Sequence, residues 1–322
     1  MGILKRSVVK IHPPQLEVFS FQLLRDTLAT SRIDNPAAFF SGNTGFCCHV
    51  YLTRRKTVKR KNSAKPQLLT LLLLVASFAS RASAANKGFV IAMGGGNGTP
   101  EIYEKWKSLG GGKNAKVVLI PTANNPGDDI APVVNGLKQV FGVQNVSVLD
   151  TKDRAKANSA EFVAPLRQAT FVFIDGGRQW RLADAYLGTR VERELRNVLK
   201  RGGVIAGSSA GASILASYLV RGDPSGPDIT MAKGHERGFG LLPNSAIDQH
   251  VSERNREHDL EPVVAAHPTL LGIGIDPNTI IVLHGDQFEV LGSGKVTITE
   301  AGHPQYSISS GSHFDLRKRK QL

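Results

Sequence analysis

The stretch Gly207-Ser208-Ser209-Ala210-Gly211 reads G-x-S-x-G and lies between an apolar run, Gly203-Val204-Ile205-Ala206, and a small-residue segment from Ala210 to Tyr218. A serine between a strand and a helix occupies a sharp turn. Small neighbours permit that turn and hold the hydroxyl out toward a substrate. The helix expected over 210–218 would aim backbone N–H groups, such as that of Ala210, at the same place, which suits an oxyanion. The alternative is a tight glycine-rich turn with no chemistry, because the bare pattern also arises by chance.

A serine hydroxyl at its ordinary pKa is a poor nucleophile and needs a base, and neutral imidazole is suited to that task near pH 7. Beyond residue 84 the histidines are His235, His250, His258, His267, His284, His303 and His313. His250 stands out because Asp248-Gln249 precede it and Arg254 and Arg256 follow shortly after. Guanidinium groups spaced in this way can grip a substrate carboxylate, which they match bidentately. The competing reading of the segment is an exposed charged stretch, since Glu253, Glu257 and Asp259 alternate with the arginines. Gln179, after Gly176-Gly177-Arg178, can offer an amide near the nucleophile, or can simply form the first turn of the next helix.

The elements that must position these residues read as an α/β pattern. Short apolar runs at 87–93, 115–122, 146–150, 169–175 and 203–206 alternate with helical segments at 101–109, 129–141, 159–168 and 182–200. Pro165 is expected to interrupt or kink the third of those helices. Near-continuous apolar strands separated by helices predict a doubly wound, mostly parallel sheet covered on both faces. In such sheets sites form at the carboxyl ends of strands. The Gly94–Gly98 turn, Asp175–Gly177 and Ser209 all fall at such ends and are expected to converge. Downstream, 221–240 reads as loop, 247–251 as a short strand, and 272–276, 279–283 and 287–291 as β segments with a hairpin at Gly285-Asp286. The basic tail 317–320 is expected to be solvated and frayed.

The 322 residues carry a net charge of +13, but the excess is uneven. Residues 1–84 hold 13 Lys/Arg against 3 Asp/Glu, whereas the rest holds 27 against 24. The high isoelectric point therefore gives no support to nucleic-acid binding by the remainder. Residues 58–84 read as an export signal: Lys59, Arg60, Lys61 and Lys65, then the apolar run from Leu68 to Ala76, then Ala82-Ser83-Ala84 as an A-x-A cleavage site. The apolar run is short for a transmembrane helix, so no membrane anchor is expected after cleavage. Residues 1–57 read as a doubtful leader or an over-extended start, and residues 85–322 as one enzyme domain. Both cysteines, Cys47 and Cys48, lie in that leader, so the 85–322 part can hold no disulfide and no thiolate nucleophile or metal site. A secreted or periplasmic location is expected. No metal and no organic cofactor are implied.

Taken together, Gly176-Gly177-Arg178-Gln179, Gly207-Ser208-Ser209-Ala210-Gly211, Asp248-Gln249-His250 with Arg254 and Arg256, and Gly272-Ile273-Gly274-Ile275-Asp276 resemble the cyanophycinase branch of the cyanophycinase/aspartyl dipeptidase serine peptidases. The resemblance spans about residues 87–295. It implies a class I glutamine amidotransferase-like (flavodoxin-like) α/β fold with serine in place of the nucleophilic cysteine. It also implies hydrolysis of bonds next to aspartyl residues, which in cyanophycinases releases β-Asp-Arg dipeptides from the storage polymer cyanophycin. By resemblance, Ser209 is the nucleophile and His250 the base, with Gln179, Asp248, Gln249, Arg254 and Arg256 in the substrate pocket. Ala210, together with Gly177 of the Gly176-Gly177 turn or with the Gly94–Gly98 turn, provides the expected oxyanion donors.

Two departures from the family pattern stand out. Asp259 occupies the place of a third arginine, and Pro277 that of the glutamate expected to orient the histidine. Asp276 is then the expected third catalytic member, with Asp228 as the alternative. The rival functions are an isoaspartyl or Asp-X dipeptidase and a non-catalytic secreted binding protein of the same fold. A peptide or cyanophycin-like substrate is the expected partner, with no nucleic acid, and a homodimer is left open.

Overall fold

The computed structural model describes residues 88–322. The expected leader and export signal and both cysteines lie outside the described residues. Strand β1 (Phe89–Met93) is followed by α1 (Pro100–Gly110), β2 (Val117–Ile120), α2 (Ala131–Phe141), β3 (Val146–Val148), α3 (Arg154–Ala157), α4 (Ala164–Gln168) and β4 (Phe171–Ile174). The chain continues through α5 (Gln179–Tyr186), α6 (Arg190–Lys200), β5 (Val204–Ser208), α7 (Ala210–Ser213), β6 (Ala216–Tyr218) and β7 (Leu242–Gln249). It ends with α8 (Glu261–Ala266), β8 (Leu271–Ile275), β9 (Thr279–His284), β10 (Gln287–Gly292), β11 (Lys295–Thr299), β12 (Tyr306–Ser309), β13 (His313–Asp315) and β14 (Lys320–Gln321).

The result is a mixed α/β fold built on a nine-stranded sheet of order β14-β13-β10-β9-β1-β5-β4-β2-β3. The block β1-β5-β4-β2-β3 is parallel throughout. The expected parallel sheet is this block, and the C-terminal strands β9, β10, β13 and β14 extend it in antiparallel fashion. A second, five-stranded sheet has the order β12-β11-β8-β7-β6.

The apolar runs of the parallel strands are explained by burial on both faces. Side chains alternate along a strand. Val90, Ala92, Val118, Ile120, Val172, Ile174 and Ile205 therefore pack with Leu182, Tyr186, Leu195 and Leu199 of α5 and α6. The intervening Ile91, Met93, Val117, Leu119, Phe171, Phe173, Val204 and Ala206 pack with Ile102 and Trp106 of α1 and Leu137 and Phe141 of α2. Removing such a side chain to alanine costs about 2–5 kcal/mol. Helix α1 starts where Thr99 Oγ1 accepts the Ile102 N–H and ends at Gly111 in the left-handed region, φ 103°.

Several elements differ from the sequence expectation. The long helix over 182–200 is two helices, α5 and α6, broken at Gly188, φ 75°. Pro165 does not kink a helix over 159–168; it sits in the first turn of the short α4, where its missing N–H is not needed. The small-residue helix over 210–218 is one turn, α7, after which Ala216–Tyr218 pairs in parallel with β7. Sheet pairing overrides helix propensity there. Residues 320–321 are not frayed but pair with β13.

Candidate active site

The parallel register sets the site. Met93 pairs with Ser208 and Ile174 with Gly207, so the carboxyl ends of β1, β4 and β5 lie side by side. The Gly94–Gly98 turn, Asp175–Gly177 and Ser209 leave the sheet there. Ser209 donates its N–H to Met93 O (3.0 Å) and has φ 53°, ψ −116°, a strained conformation for a residue with a side chain. Strain of this kind costs about 1–3 kcal/mol and persists only where packing enforces it. The flanking glycines show how packing does so: a Cβ on Gly207 would lie 2.0 Å from Gly211 O, and one on Gly211 would lie 2.1 Å from Ile174 O. The G-x-S-x-G spacing is thus a steric requirement of the turn.

His250 arrives from the second sheet. It follows β7, has φ 54°, and donates its N–H to Gly94 O (2.8 Å), which ties the end of β7 to the end of β1. Its ring lies against Gly95, where a Cβ would come within 2.2 Å of Cε1. Asn278 holds that glycine turn from below, donating its N–H to Gly95 O (2.8 Å) and accepting the Gly98 N–H at Oδ1 (3.0 Å). His250 Nε2 is 3.0 Å from Ser209 Oγ. Burial, followed by the positive charge of Arg254, pushes the imidazole pKa below its ordinary value, although Glu253 acts in the opposite direction. At neutral pH the ring is therefore uncharged and its Nε2 can accept a proton.

The carboxylate at the far side of the ring is Glu253, with Oε2 2.5 Å from His250 Nδ1. Neither carboxylate expected as the third member, Asp276 or Asp228, occupies that place. Asp276 accepts the Ser252 N–H at Oδ1 (3.0 Å) and the Lys295 N–H at Oδ2 (2.9 Å), so both of its oxygens are engaged away from the imidazole. Asp228 is exposed in the loop after β6, and its charge acts on Arg178 instead. An H-x-x-E spacing was readable in the sequence, but Glu253 has the look of one more solvated charge in an alternating run.

The residues expected in the pocket divide into two groups. Asp248 is fully buried and is gripped by Arg221, whose Nε is 3.0 Å from Oδ1 and whose Nη2 is 2.9 Å from Oδ2. Arg221 also bonds Asp259, and Arg256 Nη1 lies 3.6 Å from Asp248 Oδ1. Burial pushes the Arg221 guanidinium down, but Asp248 and Asp259 outweigh it and hold its pKa above the ordinary value. Arg256 is buried too and donates to Gln249 O (3.1 Å). These groups form an internal charge lattice under the His250 turn. Gln179 Nε2 likewise donates to Val220 O (2.8 Å), which spends that amide hydrogen on the fold.

What faces the serine is Gln249, with Oε1 3.4 Å from Oγ, and Gly176, where a Cβ would lie 3.3 Å from Ser209 Cβ. Gly177, φ 128°, has its backbone pressed against Ala123, and Ala210 opens α7 directly after the serine. Arg254 is half-buried and forms no salt bridge among the described residues, while its charge reaches His250. Arg221 was missed at the sequence level, and its bond to Asp248, 27 positions away, leaves no local signal. Among the described residues no helix is long and apolar enough to cross a membrane, and no cluster of three or more His, Cys, Asp or Glu is placed to hold a metal.

A serine hydroxyl on a strained turn against a neutral imidazole is equipped for acyl transfer. Comparison with known proteins agrees with that chemistry. The family model of peptidase family S51 matches residues 89–291. The cyanophycinase of Nostoc sp. is 33% identical over 252 residues, which is 76% of this chain and 82% of the relative. That of Synechococcus elongatus is 31% identical over 240 residues, 72% of this chain and 74% of the relative. The crystal structure of a peptidase from an acI-B1 Actinobacterium matches with a TM-score of 0.56 and 25% identity, covering 71% of this chain and 96% of that one. The chain belongs to peptidase family S51 and is a serine-type peptidase.

Proposed function

We propose that Ser209 is the nucleophile and His250 the general base of a hydrolysis directed at peptide bonds next to aspartyl residues, as in the cyanophycinases that this chain resembles. The observation that carries the proposal is the 3.0 Å contact between Ser209 Oγ and His250 Nε2 on a strained strand-to-helix turn. Ser209 Oγ attacks the carbonyl carbon while its proton passes to Nε2. The same proton then goes to the leaving amine, and water reverses the sequence to free the acyl group. The N–H groups of Ala210 and Gly177 are the proposed donors to the oxyanion. Arg254, the arginine of the segment left without an ion pair among the described residues, is the proposed anchor for a substrate carboxylate. The Ser209 arrangement is also what the glutamine amidotransferase-like class would require.

Asp259 favours testing a second substrate class. It stands where a third arginine is expected and is consumed by Arg221, so the pocket has one cation fewer for an Asp-Arg polymer. Short isoaspartyl dipeptides are therefore assayed beside cyanophycin. Purified Ser209→Ala is expected to lose at least about 1,000-fold in kcat on whichever substrate the parent turns over. Parent-like turnover by that variant would overturn the mechanism. Export belongs to the same proposal, supported by the basic residues 59–65, the apolar run and Ala82-Ser83-Ala84. Secreted or periplasmic protein is expected to begin at Ala85, and an N-terminus within residues 1–57 would rule out cleavage there.

A further inference from the structure

We infer that Glu253 is the positioning residue that orients His250, and that Asp276 acts one step back by holding the turn that carries Glu253. The inference rests on the reading of Ser209 and His250 as nucleophile and base. For Nε2 to accept the serine proton, the neutral ring must carry its own proton on Nδ1. A carboxylate at Nδ1 selects that tautomer and stabilises the imidazolium that follows. Glu253 Oε2 stands there at 2.5 Å, on the edge of the ring opposite to Ser209. Pro277, at the position where the family pattern expects the orienting glutamate, has no side-chain group that could accept a hydrogen bond from the ring.

The backbone is shaped to bring residue 253 back onto the ring. His250 has φ 54°, and the chain then turns so that the Arg254 N–H bonds His250 O (3.0 Å) and the Arg256 N–H bonds Val251 O (2.9 Å). Asp276 clamps this turn. Its Oδ1 accepts the N–H of Ser252, the residue before Glu253, while its Oδ2 is anchored by the Lys295 N–H at the start of β11. The line from sheet to nucleophile thus runs Lys295, Asp276, Ser252, Glu253, His250, Ser209. Glu253 is half-exposed, with its side chain 51% accessible, unlike the buried carboxylate of a chymotrypsin-type triad. Its influence is screened by solvent, and its loss is expected to cost less than the roughly 10,000-fold seen when a buried orienter is neutralised.

The charged groups that act on His250 are Glu253, Arg254 and Arg256 of its own segment. From the other elements packed on the ring, Gly95 and Ser209 contribute no charge. Glu253 raises the affinity of the ring for a proton, whereas burial and the two arginines lower it. Removing the Glu253 charge therefore lets the imidazole pKa fall further, and the acid limb of kcat/KM moves to lower pH even as the rate drops. A loss of local structure alone would not move the limb in that direction.

The experiment compares the full chain with Glu253→Gln, Glu253→Asp, Asp276→Asn and, as a control on the same segment, Glu257→Gln. Each is assayed for kcat and KM across pH on one aspartyl peptide. Glu253→Gln is expected to lose about 10- to 1,000-fold in kcat, with KM within a few-fold and the acid limb displaced downward. Glu253→Asp recovers part of the rate and the parent acid limb. Asp276→Asn loses less than Glu253→Gln and keeps the limb in place, and Glu257→Gln matches the parent. Parent-like kcat and an unmoved limb in Glu253→Gln would overturn the inference. Ser209→Ala separates the two readings: if it is inert while Glu253→Gln is parent-like, only the role of Glu253 fails; if it is active, the nucleophile assignment has failed.

Discussion

The two halves of the site are built in opposite ways. The serine half is compact: β5, one turn of α7 and the glycines at 207 and 211 place Ser209 by steric exclusion against the motif's own backbone and the adjacent end of β4. The histidine half is distributed. His250 is held by Gly94 and Asn278-supported Gly95 from the first sheet, by Glu253 three residues on, and by a turn resting on the Arg221–Asp248–Arg256–Asp259 lattice and on Asp276. A nucleophile can be positioned by backbone geometry because only one atom needs to project. A base needs both ring nitrogens engaged and its charge state adjusted, which takes side chains from several elements.

The comparison can be broken on either side. On the serine side, the new Cβ of Gly211→Ala would sit 2.1 Å from the Ile174 carbonyl oxygen and force the elbow apart. Turnover is expected to fall by about 100-fold or more, since displacements near 1 Å cost that much in a preorganised site. Parent-like kcat in this variant would show that the serine half is not sterically set. On the histidine side, Arg221→Met removes the bidentate partner of the fully buried Asp248. Breaking a buried pair costs about 3–5 kcal/mol, readable as a lowered urea midpoint. Arg256, 3.6 Å from Asp248, offsets part of that loss. An unchanged midpoint would show that the lattice does not support the His250 turn. Glu253→Gln sharpens the contrast, because its expected rate loss and acid-limb shift come with little change in stability.

Much of the parallel block was legible in the sequence. The runs at 87–93, 115–122, 169–175 and 203–206 contain β1, β2, β4 and β5, because a strand buried on both faces is written as uninterrupted apolar residues. Their carboxyl ends, and with them the Gly94–Gly98 turn, Asp175–Gly177 and Ser209, followed from the α/β alternation. The second sheet was less legible. Ala216–Tyr218 has the composition of a helix and becomes β6 only because β7 is available to pair with it. The division of 182–200 hinges on Gly188, a weak signal inside a strong helical pattern. Asp248 and Arg256 were singled out as pocket residues, whereas their burial and their debt to Arg221 depend on a partner far away in the chain.

The sequence by itself determined the serine turn, since G-x-S-x-G between an apolar strand and a small-residue segment encodes a local steric solution, and it singled out His250 from seven candidates by its neighbours. Only the tertiary structure decided which carboxylate meets the imidazole. Asp276, Asp228 and Glu253 are equally acidic on paper, but a left-handed residue at 250 folds the chain back on itself, and Asp276 spends its oxygens on two backbone N–H groups while Glu253 faces Nδ1. Which charges are buried and paired, and which remain for a substrate, is a property of contacts between β6, β7 and the turn after it. Local sequence carries no record of such contacts.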